Sequence, residues 1–194
     1  MISLFLLFWM LVVLFAIIGA MRGWSKEVIA MAGLILSLFA INTFGHLVLR
    51  LTGGIGADAS AADFMGAMRR QFLILGSIHL LIAFFSYQSV ILVRSRLAGR
   101  ERLQERLLGL IFGAVNGYLV VGTLWALLEY RITADGWVRL PPEFPYAFDP
   151  RIIRPVVDTP TQELLLTHLP IPWLVPWLPI LLVLIFLFVI IVII

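Results

Sequence analysis

Gly19-Ala20-Met21-Arg22-Gly23-Trp24-Ser25-Lys26-Glu27 separates two long apolar runs and carries the first charges of the chain. Met1–Met21 has no charged residue, and Val28–Leu49 has one ionisable group, His46. A bilayer core about 30 Å thick needs roughly 20 apolar residues in a helix, so each run is long enough to cross it. The charges pin the link between them to a membrane surface, and the link is too short to be a domain. It reads as the turn of a transmembrane helical hairpin.

Composition agrees. The 194 residues are 62% hydrophobic and 13% charged, with a mean hydropathy of +1.07, whereas soluble domains have roughly 45–50% apolar and about 25% charged residues. A net charge of +3 and a pI near 9.8 do not point to a nucleic-acid partner, because the basic residues cluster beside apolar spans, where bilayer topology accounts for them. The absence of cysteine excludes disulfides, thiolate metal sites and cysteine nucleophiles. The first segment lacks a basic n-region and exceeds the usual apolar length of a signal peptide, so it is expected to be a retained helix.

Five membrane segments follow: Ser3–Ala20, Val28–Phe44 with a continuation to Leu49, Phe72–Val93, Leu107–Leu128 and Trp173–Ile194. Arg50 and Gly53-Gly54-Ile55-Gly56 stop the second, since glycine forfeits helix propensity. Pro172, Pro176 and Pro179 crowd the start of the fifth; from Ile180 alone it would be roughly 22 Å long, so it must include Trp173–Pro179 to cross. The expected fold is all-α: a polytopic transmembrane bundle with a four-helix module over 1–128, a loop over 129–171, and a C-terminal membrane helix over 172–194.

Arg94, Arg96, Arg100, Arg102 and Arg106 crowd the link between segments three and four, opposed by Glu101 and Glu105. Short basic loops stay in the cytoplasm, which places this link and the Arg22–Glu27 turn inside and the N-terminus outside. Arg69 and Arg70 oppose that assignment and are outnumbered. The same five arginines could hold anionic lipid headgroups.

All ten prolines lie after residue 140. Proline fixes φ and lacks an amide donor, so Glu129–Ile171 is expected to be an extended surface loop. One short helix is expected inside it, with Thr159 as N-cap, Pro160 at the first position and Gln162 three residues past the cap. Ser60–Arg70 is a second short candidate. Trp125, Tyr130, Trp137, Trp173 and Trp177 are expected to form an interfacial aromatic belt.

Segment four opens Arg106-Leu107-Leu108-Gly109-Leu110-Ile111-Phe112-Gly113-Ala114-Val115-Asn116-Gly117. Gly109, Gly113 and Gly117 share one helix face, and such small-residue ridges let backbones approach in lipid. The ridge serves either packing within the chain or a dimer face.

These residues carry a resemblance. Gly19–Glu27 is similar to the G-x-x-R-G-aromatic-x-basic-E hairpin of the colicin V production protein (CvpA) family. Arg106–Gly117 resembles that family's second signature, R-L-x-G-x-x-x-G-x-x-x-G. The resemblance spans roughly residues 1–128. It implies a four-helix module of the bacterial inner membrane, linked to peptide toxin export and envelope homeostasis, without established catalysis. The chain departs from the pattern at Glu105, where aspartate is common, at Asn116, where arginine is frequent, and in its fifth apolar segment.

In the cytoplasmic hairpin, which Gly19 begins, Gly23 allows a tight reversal, Glu27 suits a helix N-terminus, and Arg22 can reach lipid phosphate or pair with Glu27. His79 is the one ionisable side chain deep in a span, about 10 Å inside segment three. Buried ionisable residues are functional candidates; His79 could ligate haem or a chlorophyll magnesium, relay a proton, or be a neutral imidazole bonded to Ser77, another helix or a carbonyl. Ser86, Tyr87, Gln88 and Ser89 with Asn42 and Asn116 could line a path, but no carboxylate is expected among them. The three histidines, His46, His79 and His168, lack metal-ligand spacing, and neither a phosphate loop nor a nucleophile elbow occurs. No metal, cofactor or enzymatic activity is therefore expected. The expected partners are membrane lipids and a membrane protein or a second copy. The functional readings are envelope homeostasis or peptide export, and alternatively an accessory subunit of a respiratory or photosynthetic complex.

Overall fold

The computed structural model describes residues 4–51, 61–88, 99–141, 144, 146, 148 and 160–193. The first helix, α1 (Leu4–Arg22), is apolar on every face because lipid, not water, surrounds it. Phe8, Val12, Ala16 and Gly19 form its buried stripe, while Leu6, Met10, Val13 and Ile17 stay exposed. Gly23 ends it in a single residue with φ +90°, and its amide donates to the Gly19 carbonyl at 2.9 Å. Side chains rarely adopt that φ, so glycine is required at this reversal.

The second helix, α2 (Trp24–Leu51), begins four residues before the expected Val28. The third, α3 (Ala61–Gln88), is one helix where the sequence suggested a short Ser60–Arg70 helix followed by a separate span. No proline interrupts it, Gly66 and Gly76 are both carried within the helix, and the polar Arg69-Arg70-Gln71 lies between them in a single rod. The fourth, α4 (Gly99–Glu129), starts eight residues before Leu107. At 1.5 Å per residue its 31 residues run about 46 Å, so its charged first turns project beyond a bilayer core.

The expected extended loop contains a two-stranded antiparallel sheet, β1 (Tyr130–Thr133) and β2 (Gly136–Arg139), with Tyr130 opposite Arg139. Ala134-Asp135 makes the turn, and Gly136, at φ +127°, opens β2. Helix α5 (Pro160–Thr167) forms as expected from Pro160; its proposed cap, Thr159, lies outside the described residues. A helical run then follows through α6 (Pro170–Leu174), a 3₁₀ turn (Val175–Trp177) and α7 (Leu178–Ile193). Its three later prolines each sit in the opening turn of one of these pieces, where a missing amide costs little.

Helix α1 packs on α4, α2 on α3, α4 and α7, and the short α6 on α4. Val28, Leu34, Leu38, Leu75, Leu119 and Leu127 fill the common interior. Among the described residues five helical stretches are long and apolar enough to cross a membrane: Leu4–Arg22, Trp24–Leu51, Asp63–Gln88, Leu103–Glu129 and Pro170–Ile191.

Candidate functional site

The glycine ridge of α4 is filled from within the chain. A methyl group at Gly113 would lie 2.5 Å from the Phe15 carbonyl oxygen and 2.9 Å from Gly19 Cα, and one at Gly19 would lie 2.2 Å from the Gly109 oxygen. A methyl group at Gly117 would lie 2.7 Å from Phe15 Cβ and 3.1 Å from Val12 Cα. The α1 and α4 backbones therefore touch along three turns, which apolar side chains alone would not achieve in lipid. This contact carries the Arg22–Gly23 reversal onto the flank of α4, where Glu105 lies against Gly23.

At that end the bundle holds a buried carboxylate. Glu27 is fully buried, because α2 starts at Trp24 and its first turn is drawn inside the bundle. Arg22 Nη1 meets Glu27 Oε1 at 2.6 Å, and its Nη2 donates to the Tyr87 carbonyl at 3.0 Å. The guanidinium also lies 4.3 Å from the centre of the Tyr87 ring. The Tyr87 hydroxyl donates to Glu27 Oε2 at 3.1 Å, and Asn116 Nδ2 donates to Oε2 at 2.8 Å and to the Glu27 carbonyl at 2.9 Å. Four helices thus converge on one acid. The expectation that no carboxylate lies among the polar residues is corrected here. An isolated buried charge costs several kcal/mol, and breaking such a pair costs about 3–5 kcal/mol; three donor groups and the Arg22 charge offset that here.

Asn42 does not join this group. Its Oδ1 accepts from Trp137 Nε1 at 3.0 Å, at the opposite end of the bundle. Ser86 donates to the Ile82 carbonyl at 2.7 Å and abuts Gly33, where α2 and α3 approach closely. Gln88 is exposed, and Ser89 lies outside the described residues.

Higher in the core, His79 is fully buried and its Nδ1 makes a short hydrogen bond with the Ser37 hydroxyl of α2, not with Ser77. The Leu119 carbonyl of α4 lies near the ring, yet Nε2 makes no hydrogen bond of normal geometry. Among the described residues the other buried side-chain polar atoms in that condition are Asn116 Oδ1 and Thr123 Oγ1. Each such atom costs about 1–3 kcal/mol while unpaired. An apolar groove of about 470 Å³ between α2, α4 and the Pro170–Ile193 run is lined by Met31, Tyr118, Leu119, Trp173 and Ile185 among others, but not by His79.

The β end is fastened by a second polar set. Gln71 Nε2 donates to the Leu127 and Tyr130 carbonyls at 3.3 and 2.7 Å, and its Oε1 accepts from the Ile132 amide at 3.0 Å. Buried Glu129 accepts from the Tyr146 hydroxyl and from Trp125 Nε1. Trp125 and Tyr130 are therefore interior residues, which corrects their assignment to an interfacial belt; Trp173 and Trp177 are exposed as a belt requires. Arg139 pairs with Glu163 at 2.6 Å. That hydrogen bond holds the Glu163 carboxyl below its usual range and raises the Arg139 guanidinium.

Of the basic link, Arg94 and Arg96 lie outside the described residues, Arg100 and Arg102 fall in the first turn of α4, and Arg106 is exposed one turn further on. Among the described residues no group of histidines and acids could hold a metal ion.

Five apolar helices around a common interior define a multi-pass membrane protein. The sequence profile of the colicin V production protein family matches residues 5–140, and the chain belongs to that family. The match runs from the start of α1 through β2, so it takes in the β-hairpin as well as four helices. No curated protein and no solved structure matches the chain.

Proposed function

We propose that this chain is a non-enzymatic protein of the bacterial inner membrane that acts in envelope homeostasis or peptide toxin export. The observation that carries this reading is the family match across the whole glycine-packed bundle and its β-hairpin. The buried polar side chains support a scaffold over a catalyst, since Glu27, Gln71 and Glu129 are each engaged by protein donors. In the membrane the Gly23 end faces the cytoplasm. Glu105 against Gly23, and Arg22 on the Tyr87 carbonyl, gather the ends of α1, α3 and α4 at one pole, and the basic link joins α3 to α4 there. Charge bias then favours the cytoplasm for that pole.

The protein works with a membrane-protein partner or a second copy. Exposed Ile180, Val183, Leu184, Leu187 and Ile191 on α7 support this, together with anionic lipids at the arginines. Deleting the chain from a producing bacterium is expected to lower peptide toxin in the medium without lowering it in the cell, or to sensitise the envelope to detergent. Plasmid copies should restore both. Unchanged export and an unchanged envelope would refute the proposal.

A further inference from the structure

We propose that α2, α3 and α4 enclose a water-holding polar track that gives His79 proton access from the Gly23 end of the bundle. Three ridges define it. Glu27, Ala30, Leu34 and Ser37 recur at three- and four-residue spacing on α2, and all are fully buried. His79, Ala83 and Tyr87 recur at four-residue spacing on α3. Asn116 and Thr123 stand two turns apart on one face of α4, about 10 Å along its axis, with the Leu119 carbonyl near the His79 ring between them.

Hydrogen bonds tie these ridges at two levels: Glu27 to Tyr87 and Asn116 below, and Ser37 to His79 above. Between the levels the small side chains Ala30 and Ala83 face inward, with Leu34 as the bulky member.

Among the described residues, the three buried side-chain polar atoms without a protein partner all lie on this strip. Scattered packing faults would not align in this way. Turning the Asn116 amide over does not help, because Nδ2 is already held by the Glu27 carbonyl and carboxylate. Asn116 Oδ1 can only accept. Thr123 Oγ1 can do both. With Nδ1–H donated to Ser37, His79 Nε2 is a lone pair that the nearby Leu119 carbonyl, itself an acceptor, does not satisfy, so in that tautomer it needs a donor. The ligand must therefore be small, neutral and a hydrogen-bond donor, which describes water.

Through such water a proton from solvent at the Glu27 end reaches the Nε2 lone pair while Nδ1–H is held by Ser37. The ring then carries it as imidazolium and releases it by the same route, and no other bond changes. Glu27, Arg22, Tyr87 and, across Gly23, Glu105 are titratable groups at the entrance among the described residues. Above His79, Leu75, Ala126 and Leu127 are fully buried and apolar, and they close the track towards the β end.

The full chain carrying ¹⁵N-histidine, with His46→Gln and His168→Gln so that His79 is the single histidine, should be placed in lipid nanodiscs. Solid-state NMR then reads water-to-imidazole proton exchange. Rapid exchange at His79 is expected. Asn116→Leu should slow it about tenfold or more, equivalent to ~1.4 kcal/mol of added cost to hydration. Asn42→Leu, at the β end and outside the track, should leave it unchanged. An imidazole still protected after a day in D₂O would overturn the proposal. So would unaltered exchange in Asn116→Leu, or blockage by Asn42→Leu alone, which would put the entrance at the other pole. Should Asn116→Leu fail to fold, the unaltered chain and Asn42→Leu still decide the matter.

Discussion

Gly113→Ala is the smallest change that tests the bundle. The added methyl would meet Phe15 O at 2.5 Å, Gly19 Cα at 2.9 Å and Ala16 Cα at 3.2 Å. Ordinary contact needs 3.4–4 Å, and all three atoms are backbone, so no side chain can swing aside. Helix α1 must instead move away by about 1 Å, separating Gly19 from Gly109 as well. Overpacking of this kind costs about 1–3 kcal/mol, against which alanine recovers up to about 1 kcal/mol of helix propensity over glycine. The net expectation is a loss of roughly 1–2 kcal/mol, and a collapse of the α1–α4 contact in Gly113→Leu. Gly66→Ala is the control: its methyl would meet only the flexible Arg70 guanidinium at 3.8 Å, so propensity alone should act. Reversible unfolding in mixed micelles measures the difference. Because the chain has no cysteine, an introduced pair on α1 and α4 reports the contact directly by crosslinking. Wild-type stability with undiminished crosslinking in Gly113→Leu would refute the reasoning.

Glu27→Leu should destabilise the bundle by about 3 kcal/mol, less what solvent screens at partly exposed Arg22, and Arg22→Met in the same chain should restore much of it; a double-mutant cycle in the same micelles measures this. Gln71→Leu leaves two carbonyls and one amide without their side-chain partner, so hydrogen exchange of Tyr130–Arg139 should rise sharply while the α1–α2 turn is unaffected. The Arg139–Glu163 pair is predicted to show a simple pH signature. Glu163 titrates below its ordinary 4.5, so the pair contributes in full above that value and is lost as pH falls through the lower folded one. Thermal midpoints of the wild type and Glu163→Gln should differ by a constant small amount from pH 8 to about 5 and converge in stronger acid, the gap being under about 1 kcal/mol because Glu163 is half exposed.

The helices were legible because length and apolarity alone decide whether a segment crosses lipid, and Gly23 and the α4 glycines named their own contact. Boundaries were harder to read. Charged residues at 24–27 and 99–106 look like loop, yet a helix end leaving the membrane tolerates charge, and both stretches are helical. Glu27 illustrates the consequence: its place near a helix start was visible, but its burial depended on Tyr87 and Asn116, some 60 and 89 residues away. The β-hairpin did have a signal, since Tyr130 and Ile132 alternate with Arg131 and Thr133 before Asp135-Gly136. The abundance of proline just beyond it dominated the reading. Trp125 was assigned to the membrane interface by residue type, whereas its indole is drawn inward by Glu129 and Tyr146.

The five-residue separation of Arg22 and Glu27 has a consequence for biogenesis. The guanidinium leaves the ribosome just ahead of the acid and on the other arm of the same turn, so the two can neutralise each other while α3 and α4 are still unmade. Tyr87 and Asn116 then reach a site whose net charge is already settled. The carboxylate need never face the bilayer alone, and the first two helices can be integrated as one electrically balanced unit.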